Sequence, residues 1–212
     1  ESERTGPDRR AADEDVTSNR LMQEFGFRGV NFGREGWINQ NERQAYLNAA
    51  YDGLFDLAEL LNVPPKALSL NGMLGIAFGA QGRGGQNAAH FVPGVNEINL
   101  TKTKGAGTLA HEWGHALDHY FAGLAGLPRT TNPFLSENMR VPAARLPEST
   151  IRPEIRAAFK TIVDAMQRRN LTPEEDAAGR ASWRTKAQKQ LDGWIDRLRV
   201  VIVRTLDSAA KI

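Results

Sequence analysis

The stretch from Thr108 to Phe121 reads Thr-Leu-Ala-His-Glu-Trp-Gly-His-Ala-Leu-Asp-His-Tyr-Phe and contains His-Glu-x-x-His. Two His four residues apart lie one turn apart on the same face of a helix. His111 and His115 can then reach one Zn²⁺ while Glu112 is aimed at a water beside it. On a helical wheel Leu109, Ala110, Trp113, Ala116, Leu117, Tyr120 and Phe121 fall on one broad apolar face. Thr108, His111, Glu112, His115, Asp118 and His119 fall on the opposite one. Such a helix packs on one side and carries ligand-type residues on the other, which suits the floor of a cleft. The plain alternative is an amphipathic surface helix with solvated His and Glu. Against it, three of the four His of the chain lie within nine residues on the polar face.

A helix of this kind needs a core to pack on. With 212 residues, 41% apolar and 25% charged, the chain has the length and composition of a soluble globular domain, or of one domain with an appendage. No run of about 18 apolar residues is present, so no membrane partner is expected. The chain has no Cys, which excludes disulfides, thiolate zinc ligands and cysteine nucleophiles together. The lack of disulfides fits the cytosol slightly better than an oxidising compartment. The sequence opens Glu-Ser-Glu-Arg with no signal-like segment and reads as a piece of something longer. Charge is uneven along it. Residues 1–150 carry 14 Lys/Arg against 17 Asp/Glu, and residues 151–212 carry 13 against 8. The basic C-terminal segment is either a solvated helical face or a surface for nucleic acid or an acidic partner.

In chain order, residues 1–16 are charged and poor in bulky apolar residues, as in a linker or flexible arm. Thr17 can cap a short helix over Ser18 to Glu24 that stops at Gly26. Phe27 to Phe32 alternates like a half-buried strand. Apolar residues at helical spacing predict a long helix from Asn41 to Leu61, capped by Asn39 or Asn41 and stopped by Pro64-Pro65. Leu74 to Phe78 reads as a strand. The glycine-rich run Gly79 to Gly85 lacks Gly-Lys-Ser/Thr and precedes a strand, so it is read as a mobile rim loop and not as a phosphate cradle. Ala89 to Val92 and Asn96 to Leu100, joined around Pro93-Gly94, predict a β-hairpin leading into the His-Glu-Trp-Gly-His helix. An extended peptide could add to such a hairpin as a further strand above the metal. Residues 126–150 are expected as an irregular flap or linker. Residues 151–212 are expected as a basic helical hairpin, with one helix from Pro153 to about Arg169 and another from about Thr172 toward Leu206. The expected organisation is therefore a core over 17–125 followed by these two segments. Its class is α+β, a small mixed sheet whose edge hairpin packs on helices.

The flanks of the motif carry a resemblance. Phe25-Gly26-Phe27-Arg28-Gly29-Val30, Phe32-Gly33, Ser69-Leu70-Asn71-Gly72 and Ala77-Phe78-Gly79-Ala80 belong to it. So do Ile98-Asn99-Leu100-Thr101-Lys102 and the run from Gly105 to Asp118. Together they resemble the zincin-type metallopeptidase domain of the large polyvalent proteins of phages and conjugative elements. The resemblance covers roughly the middle half of the chain. It implies a zincin-like fold and a setting in the host bacterial cytoplasm. It also implies processing of a polyprotein or cleavage of a host factor.

If the site is a zinc peptidase, His111 and His115 are metal ligands and Glu112 is the general base toward the attacking water. A third protein ligand is expected. His119 is the nearest, but eight residues of straight helix, about 12 Å from His111, are too far for Zn–N bonds of about 2.1 Å. Asp118 is read either as an acceptor that fixes an imidazole tautomer or as an ordinary polar-face residue. His90 on the hairpin is read as structural or substrate-facing. The resemblance implies a Glu on a downstream helix; Glu154, Asp164 and Asp192 stand in that region without a matching pattern, and the ligand could equally lie beyond Ile212. Two functions stay open: a zinc endopeptidase acting on a polypeptide, and a non-catalytic module on the same scaffold that binds nucleic acid or a partner protein through its basic tail.

Overall fold

The structure is a computed structural model that describes residues 6–11, 13–33, 40–79, 89–100, 106–127, 133–138 and 152–166. The chain divides into two compact units, Glu1–Phe121 and Ala122–Ile212.

In the first unit, helix α1 (Ser18–Phe25) begins where the sequence predicts, with the Thr17 hydroxyl accepting from the Arg20 N–H. It ends at Gly26, whose φ of 73° is the left-handed conformation that releases a helix. Helix α2 (Gln40–Leu61) ends before Pro64-Pro65. Asn62, with φ 50°, takes the left-handed position, and the Val63 N–H reaches back to the Ala58 carbonyl. Asn41 lies inside this helix, and Asn39 is outside the described residues. A 3₁₀ turn, Pro65–Ser69, packs on both helices. Phe25, Tyr51 and Phe55 meet edge to face between α1 and α2, and Phe27 joins them.

The strand β1 (Val30–Asn31) is shorter than the predicted run, whereas β2 (Gly75–Phe78), β3 (Ala89–Val92) and β4 (Glu97–Leu100) match their predictions closely. The sheet order is β1-β2-β4-β3. β1, β2 and β4 run parallel, and β3 is antiparallel to β4, with Phe91 opposite Ile98. The expected mixed sheet with an edge hairpin is therefore present. All four residues of β2 are buried, which accounts for its unbroken apolar run. Helix α3 (Ala106–Leu124) follows the hairpin.

The N-terminal arm differs from its expectation. Its described residues are tied to α2: the Arg9 N–H and the Arg10 guanidinium both donate to the buried carboxylate of Asp52. Asn48 accepts from the Val16 N–H at 2.9 Å. Arg9 also pairs with Asp56 and Glu59. A charged composition suggested solvation, but these charges face opposite charges on α2, and Val16 is fully buried among them.

In the second unit, a left-handed Gly126 closes α3, with its N–H on the Gly123 carbonyl and the Leu127 N–H on the Ala122 carbonyl. The helix thus ends at Leu124, just before the segment 126–150 expected as a flap or linker. Helix α4 (Leu135–Asn138) packs on α5 (Pro153–Met166), the first of the two predicted C-terminal helices. The second, and the glycine-rich loop beyond Gly79, lie outside the described residues. Among the described residues no helix is long and apolar enough to cross a membrane.

Candidate metal centre

Helix α3 has three working sides, each set by residues one or two turns apart. The first is held by the 3₁₀ turn and its exit. The Trp113 indole N–H donates to the Leu68 carbonyl at 2.9 Å, and seven residues on, the Tyr120 hydroxyl accepts from the Asn71 side chain at 2.7 Å. Leu70, Asn71 and Gly72 all have positive φ, so this exit is a short left-handed turn. Its strain is offset locally: the Ser69 hydroxyl accepts from the Gly72 N–H, and the Leu74 N–H returns to the Ser69 carbonyl. The turn aims Asn71 at α3.

Burial raises the pKa of the Tyr120 phenol, and the Asn71 hydrogen bond offsets part of that rise. In the alkaline range the unfolded chain therefore loses this proton first, and folding stability falls as pH climbs above about 10. Tyr120→Phe is expected to blunt that decline and to cost about 0.5–1.5 kcal/mol at neutral pH through loss of the Asn71 bond. Urea midpoints at pH 8 and pH 10.5 test this; an unchanged pH slope would contradict it. Tyr46, raised in the same direction by burial and then by Glu42, supplies a remaining slope.

The second side faces solvent. His111 and His115 are both exposed, and their Nε2 atoms stand 3.1 Å apart with the rings nearly perpendicular. Two Zn–N bonds of about 2.1 Å at a tetrahedral angle would put the nitrogens about 3.4 Å apart. The pair thus fits a shared tetrahedral ion with an adjustment of a few tenths of an ångström. Asp118 is half-buried, within a turn of His115.

The third side faces β3 and departs from the predicted wheel. Glu112 and His119, expected on the open polar face with the His pair, are both buried, while Ala110, expected to pack, is exposed. Glu112 Oε2 accepts the backbone N–H of Phe91 at 2.7 Å, and the His119 ring lies 5.6 Å from the Phe91 ring. Successive residues of an antiparallel edge strand alternate between bonding their neighbour and facing outward. Phe91 faces outward, and the carboxylate takes up the amide that its own strand partner cannot reach. A polarity wheel carries no information about a backbone donor on another element, so the sequence reading missed it. The wheel is equally silent on the Leu68 carbonyl that meets Trp113 and on the Asn71 side chain that meets Tyr120, both of which come from another element.

Among the described residues no three His, Asp or Glu side chains form a group that could hold a metal; His119 is buried with its ring beside Phe91, whereas His111 and His115 are exposed. His90 is half-buried on β3 opposite Asn99. Glu154 is exposed at the start of α5, while Asp192 and the side chain of Asp164 lie outside the described residues. In comparisons with protein-family models, curated proteins and solved structures, nothing matches this chain.

Proposed function

We propose that the chain is a zinc-dependent endopeptidase domain on a zincin-like scaffold, with His111 and His115 as two of the metal ligands and Glu112 as the general base. One observation carries the reading: the two Nε2 atoms converge to 3.1 Å on the exposed side of α3, and the residue next to His111 in that turn is the buried Glu112. Zinc bound there would polarise the scissile carbonyl and acidify a water. The chain supplies the remaining parts. His111 and His115 are held one turn apart by a helix that Trp113 and Tyr120 anchor from behind. Glu112 is within the same turn, where it can accept the proton of the attacking water. The family-like flanks support a setting within a larger phage or conjugative-element protein, acting in the host cytoplasm. The alternative, an interaction module using the basic tail, rests on residues outside the described part.

The purified chain is expected to bind one zinc. His111→Ala or His115→Ala should weaken that binding by about a hundredfold or more, since each removes a direct ligand. Cleavage of fluorescently labelled casein should stop on chelation and return with added zinc. A chain that takes up no zinc and leaves casein intact at every metal concentration would end the proposal.

A further inference from the structure

Glu112 is not a solvated carboxylate beside the His pair. It is buried, and one of its oxygens is committed to the Phe91 amide at 2.7 Å, a short, charge-assisted bond. Two turns along the same side of α3, buried His119 lays its ring against the side chain of that same Phe91. The two helix residues therefore grip one strand residue, Glu112 by its backbone and His119 by its ring. The general base of the proposed reaction is oriented from the edge strand, and the edge strand is seated by His119.

We infer that His119 is a positioning residue: by packing on Phe91 it keeps the β3 amide on Glu112 Oε2, so that Oε1 is the oxygen turned to the proton transfer. The inference rests on the peptidase reading for its catalytic consequence, but the clamp is a property of the folded chain with or without metal. It also gives the third His of the motif region a part other than ligation. The contact with Phe91 is made by the ring.

Backbone amide hydrogen exchange on the full metal-free chain, followed at Phe91, Ala77 and Ile98, tests the clamp. In Glu112→Ala and His119→Ala, exchange at Phe91 should quicken about ten- to a hundredfold, the range expected when a hydrogen bond to a charged group is lost or loosened. The central-strand amides of Ala77 and Ile98 should keep their rates. His119→Phe should restore the Phe91 rate, and all His119 variants should still bind zinc. With zinc, His119→Ala should lower kcat for labelled casein about tenfold with KM within about twofold, as expected for an interaction that serves only the transition state; His119→Phe should recover it. Unchanged exchange at Phe91 in either Ala variant overturns the clamp. Equal acceleration at Phe91, Ala77 and Ile98 assigns His119 to general stability, and loss of zinc with both His119 variants makes it a ligand; either result also overturns the inference. Should His119→Ala not fold, His119→Leu, which fills the space without a ring, takes its place with the same outcomes. If the wild type binds no zinc and spares casein while the Phe91 pattern holds, the peptidase reading fails and the clamp stands.

Discussion

Replacing Glu112 by Gln is expected to leave one zinc bound per chain and to lower the rate of casein cleavage by about 10²–10⁴-fold, the contribution typical of a positioned general base. Gln has the size of Glu and keeps a carbonyl oxygen, so it can still accept the Phe91 amide that holds Oε2 at 2.7 Å. The amide cannot take a proton. The substitution therefore separates two uses of one side chain. Glu112→Ala removes both, and its rate should be no higher than that of the Gln variant while β3 loosens. Zinc content and kcat measured on the three proteins decide the matter; a Gln variant cleaving at the wild-type rate would rule Glu112 out as the base.

The largest effect on stability is expected at Trp113. Its side chain is buried and its indole N–H serves the carbonyl of Leu68, a residue with no exposed surface. Trp113→Ala removes a large apolar volume and should cost about 3–5 kcal/mol. A domain is stable by only about 5–15 kcal/mol, so this variant stands near the edge of unfolding. Trp113→Phe keeps most of the volume and leaves the Leu68 carbonyl without its donor, for about 1–3 kcal/mol. Urea unfolding followed by circular dichroism measures both. A loss below about 1 kcal/mol for the Ala variant would show that α3 is not anchored through this residue. The His111 and His115 pair should respond too, because Trp113 lies between them in sequence and its bond to Leu68 anchors the turn that carries them.

These two positions show where a reading of the sequence ends. Trp113 is on the apolar side of the wheel and its burial follows from that. The acceptor of its N–H does not, because Leu68 contributes a backbone carbonyl that any residue would have offered. Glu112 is the sharper case. Polarity puts it on the open face, yet it is buried, because the edge strand presents a backbone donor that offsets the cost of desolvation. Asp52 on α2 repeats the pattern: a carboxylate drawn inward by partners on the distant N-terminal arm.

What the sequence determines by itself is whatever depends on neighbours in the chain. Thr17 and Gly26 bound α1, Pro64-Pro65 forbids continuation of α2, and alternation around Pro93-Gly94 makes the hairpin. The four-residue spacing brings His111 and His115 together. Each of these is a matter of backbone geometry over a few residues, which side-chain type reports directly. The tertiary structure alone decides the strand order, the seating of the arm on α2, the left-handed turn that aims Asn71 at Tyr120, and the inward side of α3. Those depend on donors and acceptors, many of them backbone groups, meeting across long separations. Every residue carries the backbone groups and many carry the polar side chains, so nothing in a one-dimensional pattern marks which of them will meet.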